Sequence, residues 1–153
     1  MEYNVKDIAA YIVNYSIDNK KYISNLKLQK LLYYVQAYFA VQKNIPCFNE
    51  DIEHWRHGPV VREVYSEYKS YFNDDITEKR SVADIEENDK LLINEVVDSY
   101  YKYGPWDMVR KTHKEEPWVN TDSDDIIEFS EIKKYYGEHE EDVLGQGEFH
   151  ERD

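Results

Sequence analysis

The feature that most constrains this chain is a run of apolar residues at helical spacing, followed at short range by a Gly-Pro break. Leu28, Leu31, Leu32, Val35 and Phe39 recur at i, i+3, i+4, i+7 and i+11, which lays five side chains along one face of a helix. Lys27, Lys30, Gln36 and Gln42 fall largely off that stripe. The next informative stretch runs from Ile52 to Tyr65. A short apolar–polar alternation (Ile52, Glu53, His54, Trp55) passes through Gly58-Pro59 into a second helical pattern of Val61, Val64, Tyr65, Tyr68 and Phe72. Pro59 suits a first helical position, because its fixed φ fits there and its missing N–H would have had no partner. Gly58 permits a sharp turn just before it. The expected scaffold is a central helix, a connector bearing Trp55, and a helix launched by Gly-Pro.

Flanking elements follow from caps and breakers. Asn4 is a plausible N-cap with Asp7 in the first turn, and Val5, Ile8, Ala9 and Ile12 form a stripe ending near Tyr15 or Ser16. Ile17 to Ile23 reads as a polar connector. Ser24 or Asn25 caps the central helix, which ends near Lys43-Asn44 ahead of Pro46. Asn73-Asp74-Asp75 closes the third element and opens a polar loop to about Glu87, expected to be the most mobile part of the domain. A helix from Asn88 or Asp89 buries Leu92, Ile93, Val96, Val97 and Tyr100, with Gly104 suited to its C′ position. Pro105 then begins another helix, which has to stop before Pro117. Ser130 caps a last helix that closes on Tyr135-Tyr136 before Gly137. The expected fold class is mainly α: one compact domain of about six helices over 1–137, allowing one short extended or β segment near 52–56. The tail 138–153 carries seven acids, one arginine and few apolar residues, so it is expected to be flexible.

Composition narrows the function. A length of 153 residues suggests one domain, and only 5 Gly and 4 Pro favour helices over a turn-rich β architecture. The single Cys47 forms no internal disulfide, consistent with a reducing compartment. Glu2, Lys6 and Asp7 interrupt the amino terminus, so no signal peptide is visible, and no apolar run approaches the roughly 20 residues of a membrane span. The expected location is the cytoplasm, with no membrane partner. The net charge is −13 and unevenly spread: +1 over residues 1–60 and −14 over 61–153. Nucleic acid is therefore disfavoured, since phosphate binding needs Lys and Arg to displace counterions. A basic partner suits this balance, and so does simple solubility.

No constellation for catalysis emerges. Cys47, His54 and His57 are zinc-ligand types, but they lack a fourth ligand and the paired Cys-x₂-Cys spacing of structural sites. Cys47 with His113 has no signature of a thiol hydrolase around it. Nucleophile elbow, Walker loop and dinucleotide fingerprint are absent. The expectation is a protein that is not an enzyme, with no catalytic residue, metal or cofactor. Thr112 to Trp118 has two readings. In one, Thr112 or His113 satisfies backbone at a helix end and Trp118 plugs the core beside Trp106. In the other, His113 and Trp118 flank a groove with Trp55, to which Arg56, His57 and Tyr65 contribute; Trp, Tyr and Arg dominate binding hot spots.

Leu28-Gln29-Lys30-Leu31-Leu32-Tyr33-Tyr34, then Ile52-Glu53-x-Trp55-Arg56-x-Gly58-Pro59-Val60 and Val64-Tyr65, resemble the Panacea domain of SocA-like antitoxins and phage-associated GepA-like proteins. Thr112-His113-x-Glu115-x-Pro117-Trp118 resembles that family's second signature, and Ile132-x-x-Tyr135-Tyr136 its closing helix. The resemblance covers roughly Val5 to Gly137. It implies a cytoplasmic antitoxin whose partner is a protein toxin, usually encoded by the adjacent gene. Neutralisation would proceed by direct protein–protein contact, masking the toxin or delivering it to a cellular AAA+ protease. Two alternatives stay open. One is a DNA-binding autorepressor, against which the lack of a basic helix counts. The other is an unrecognised hydrolase or nuclease using His113 or Asp74.

Overall fold

The computed structural model describes residues 2–146. Helix α2 (Asn25–Lys43) runs through the middle, and α1 (Val5–Asp18), α3 (Arg62–Tyr68), α4 (Glu87–Ser99), α5 (Pro105–Thr112) and α7 (Phe129–Glu138) pack around it. A single-turn α6 (Glu116–Val119) lies between α5 and α7. The fold is mainly α, with one small sheet: β1 (Glu53–Trp55) pairs antiparallel with β2 (Gly58–Val60). The helix beyond the expected six is α6. Its Pro117 occupies the first turn, where a proline costs no hydrogen bond, so the break read there also starts an element.

The caps explain the boundaries. Asn4 Oδ1 accepts the Lys6 N–H at 2.8 Å and Ser24 Oγ accepts the Lys27 N–H at 3.3 Å, each satisfying a first-turn donor. Asn44 ends α2 in the left-handed conformation (φ 63°), its N–H on the Ala40 carbonyl at 3.1 Å. Helix α1 continues past Ser16 to Asp18, because Ile17 still packs against the core.

Helix α2 is buried on every side over most of its length, including residues off the apolar stripe. Lys30 and Gln36 are inside with the apolar stripe. Several of the helix's polar head groups meet main chain rather than solvent, whereas Gln42 near its end is exposed. Gln36 accepts the Cys47 N–H (2.7 Å) and donates to the Phe48 carbonyl (2.8 Å). Gln29 accepts the Val61 N–H (2.9 Å), Asn25 donates to the Tyr65 carbonyl (3.1 Å), and Lys27 donates to the Tyr100 and Tyr103 carbonyls. Polar groups so deep would otherwise cost about 1–3 kcal/mol each.

Gly58-Pro59 does not launch a helix. Gly58 has φ 109°, which turns the chain back on β1, so Pro59 lies opposite His54 and Val60 opposite Glu53. The backbone stays extended through Val61, and α3 starts only at Arg62. Gly104-Pro105 behaves differently: Gly104 has φ −75°, Pro105 opens α5, and the Gly104 N–H donates to Asp107 Oδ2 at 2.7 Å. Nor does Gly104 close α4, which ends at Ser99, where buried Tyr100 turns the chain. Residues 124–127 add a partial third edge to the sheet, with the His54 N–H on the Asp125 carbonyl (2.9 Å) and the Ile127 N–H on the Ile52 carbonyl (2.7 Å).

The polar loop and the start of the acidic tail both make specific contacts with the helices. The loop from Asn73 to Glu86 has no helix or strand, yet Ile76 and Ile85 are buried, and Asn14 exchanges two hydrogen bonds with the Arg80 backbone (2.7 and 3.0 Å). Helix α7 begins at Phe129, behind Glu128, and runs through Gly137 to Glu138. The acidic stretch 138–146 then folds back on the body. Val143 is buried, its carbonyl accepts the Tyr100 hydroxyl at 2.6 Å, and the Gly145 N–H donates to Ser99 Oγ at 2.9 Å. Residues 147–153 of that tail lie outside the described residues.

Candidate functional site

Alternation along β1 sends neighbouring side chains to opposite faces, and the two faces hold different clusters. On one face the Trp55 ring meets Tyr65 edge-on at 5.0 Å, and its Nε1–H donates to Glu53 Oε1 at 2.9 Å. The Arg62 guanidinium lies 5.6 Å from the Trp55 ring and bonds the same carboxylate at 2.8 Å. That pairing, helped by the Trp55 donor, holds the Glu53 carboxyl below its ordinary range. Arg56 and His57 form the hairpin tip, and the His57 ring meets exposed Trp106 edge-on at 4.8 Å. Between the tip, the first turn of α2, α3 and Trp106 lies a cleft of about 430 Å³. Trp55, Arg56, His57 and Tyr65 all line it. Four of the six residues read as partner-binding are therefore brought together.

His113 and Trp118 are not among them. They lie with His54, from the other face of β1. The Trp118 ring is stacked between His54 and His113, each centroid 3.9 Å away. His54 Nδ1 is 2.8 Å from the Trp118 carbonyl, and Trp118 Nε1–H donates to the Trp55 carbonyl at 3.1 Å. Trp118 thus fastens the hairpin to α6 instead of packing beside Trp106. Burial pushes the His113 imidazole below its ordinary value, the neighbouring Lys30 charge adds to this, and His54 and His57 add less. Reading His113 and Trp118 with Trp55 as one groove overlooks the alternation, which already separates His54 from Trp55.

Beneath the hairpin lies Lys30, fully buried, its Nζ donating to the Pro59 carbonyl at 3.0 Å. Burial pushes its ammonium from 10.5 down to about 7. Between those values the unfolded chain binds a proton here that the folded chain does not. Folding therefore gains about 1.4 kcal/mol per pH unit from this group as pH rises through that window, and loses it as pH falls toward 7. Urea unfolding at pH 7 and pH 9 is expected to move the stability of the native chain, relative to Lys30→Met, upward by about 2 kcal/mol. Parallel pH profiles for the two proteins would mean that Lys30 titrates as an ordinary lysine.

Glu115 anchors a second buried cluster. Its Oε1 accepts the hydroxyls of Tyr34 (2.6 Å) and Tyr136 (2.7 Å), and Oε2 accepts Lys111 Nζ (2.7 Å). Burial raises its pKa, against the pull of Lys111 and the hydroxyls. Every oxygen is occupied from within the fold, so the carboxylate serves shape. Cys47 is buried and its thiol is pushed up by that burial, opposite to the shift of a reactive thiolate. Among the described residues no three His, Cys, Asp or Glu side chains gather as a metal site, and no helix is long and apolar enough to cross a membrane.

A family model described as "Antitoxin SocA-like, Panacea domain" matches residues 28–119, which include most of the cleft and the whole hairpin. The chain is 51% identical to "Antitoxin SocA" of Caulobacter vibrioides (strain NA1000 / CB15N) over 43 residues. That stretch covers 28% of this chain and 23% of the relative, so less than a quarter of the curated protein is matched. No solved structure matches.

Proposed function

The chain belongs to the SocA-like antitoxin family with a Panacea domain, and from that membership we propose that it neutralises a protein toxin by binding it directly and covering its working surface. The observation that carries this reading is the cleft beside the hairpin, where exposed aromatic rings and cationic side chains stand on a floor already hydrogen-bonded from within. Aromatic residues and arginine concentrate binding energy, with about 2 kcal/mol or more lost when a central one is truncated. A floor that needs no partner to satisfy it loses nothing on binding and holds the rim in place.

Co-expression with the adjacent gene tests this. The neighbour alone is expected to arrest growth, and the native chain to restore it. Trp106→Ala combined with Phe72→Ala, both exposed positions, is expected to fold normally and to restore growth poorly. A harmless neighbour, or one that stays lethal beside the native chain, would sink the assignment. The toxin's level in the same cells separates two routes. Masking leaves it unchanged, whereas delivery to an AAA+ protease lowers it.

A further inference from the structure

We infer that the cleft takes an extended segment of the partner protein in which carboxylates flank an aromatic or aliphatic anchor. This rests on the reading of the chain as a protein-binding antitoxin, and it names the chemistry that the groove selects.

The first ground is charge. Residues 61–153 carry −14, yet no Asp or Glu lines the cleft. Its charged side chains are Arg56 on the hairpin and Lys69 at the end of α3, both exposed, with the His57 imidazole between the hairpin and Trp106. Among the described residues neither Arg56 nor Lys69 takes part in an ion pair. Two carboxylates next to lining residues are engaged elsewhere: Glu53 holds Arg62 and the Trp55 indole, and Asp107 holds Arg110 and the Gly104 N–H. The groove is thus a cationic exception on an acidic body. Field complementarity favours an acidic segment there and steers a basic one away. A nucleic-acid strand, with a charge at every step, would run beyond these two cations into the acidic surface around them.

The second ground is the rim. Phe72 is 80% exposed and Trp106 51% exposed, on opposite sides of the same cleft. Phe72 also sits at φ 55°, ψ −122°, a conformation that bulky residues avoid. Its ring gains almost no burial within the chain to offset that backbone, which points to an apolar group of the partner as its contact. The floor asks for nothing: Gln29 Nε2 donates to Asn25 Oδ1, Gln29 Oε1 accepts the Val61 N–H, and Asn25 donates to the Tyr65 carbonyl. Specificity therefore falls to the cations and the two rings.

The test is selection of a random peptide library, displayed on phage, against the full-length protein. Enriched peptides are expected to place Asp or Glu beside Trp, Phe or Leu. The consensus peptide, synthesised with a fluorophore, is expected to bind at least tenfold more weakly to Arg56→Glu/Lys69→Glu and to Trp106→Ala. Its binding to Lys133→Glu/Lys134→Glu, on the exposed face of α7, should match that to the native chain. Thermal melts establish that the variants fold, and Trp106→Ala carries the test should the charge reversal unfold the protein. Absence of enrichment, a basic or uncharged consensus, or equal binding to the groove variants would overturn the inference. The outcome is separable from the antitoxin reading. Acidic peptides selected by a chain that neutralises no toxin would sink only the latter. Neutralisation untouched by the groove variants, with no acidic consensus, would sink only the former.

Discussion

Glu115→Ala is expected to lower the unfolding free energy by about 3–5 kcal/mol, the range for removing one partner of a buried ion pair. For a domain of this size that corresponds to roughly 10 °C in Tm. Glu115 is 4% exposed, so solvent offers little to replace it. Truncation strands the Lys111 ammonium and the hydroxyls of Tyr34 and Tyr136, which converge on the one carboxylate. Lys111 keeps its bond to the Asp142 carbonyl and its places 4.3 Å from the Tyr34 ring and 5.8 Å from the Tyr100 ring. Glu115→Gln keeps the shape and removes the charge, and is expected to cost less. Urea titrations of the three proteins decide the matter. If alanine costs under about 1 kcal/mol, the cluster is not the joint between α2, α5 and α7.

Gly58→Ala is the second large effect, with an expected loss of about 2–5 kcal/mol, since the conformational penalty alone is about 1–2 kcal/mol and overpacking adds about 1–3. A methyl group there would stand 2.7 Å from Lys30 Cε and 3.0 Å from Thr112 Oγ1, on a backbone at φ 109°. Lys30 cannot swing aside without giving up the Pro59 carbonyl. Because the strain falls at the hairpin, binding through Arg56 and His57 should weaken in the same variant. Gly137→Ala provides the contrast: it lies inside α7 with nothing within 4 Å of the added carbon. Helix propensity predicts it neutral or stabilising by up to about 1 kcal/mol. Equal melting of both variants would mean that the hairpin is not tightly seated.

Apolar spacing located α2 and its caps because helix periodicity and N-cap chemistry are local. It said nothing of the burial of Lys30 and Gln36, since a stripe tells which side is apolar but not whether the other side meets water. In α2 five neighbours close around both sides, and the polar residues become anchors for passing main chain. The two Gly-Pro pairs show a similar limit. The same dipeptide turns a hairpin at Gly58 and opens a helix at Gly104, because the φ each glycine adopts depends on the element its chain packs against. Trp55, Arg56, His57 and Tyr65 were legible as one surface from their closeness in sequence. Lys69 and Phe72 follow Tyr65 closely in the chain, whereas Trp106 completes the cleft from afar, brought there by the packing of α5 against α2. His113 and Trp118 sit instead with His54, on the other face of β1.

The polar side chains of α2 grip peptide groups, and peptide groups are the same whatever residue bears them. Loops held in this way can exchange almost every exposed side chain while keeping their course. A lineage confronted with a new antagonist could therefore redraw Arg56, His57, Lys69, Phe72 and Trp106 one at a time, with the frame beneath indifferent to each change.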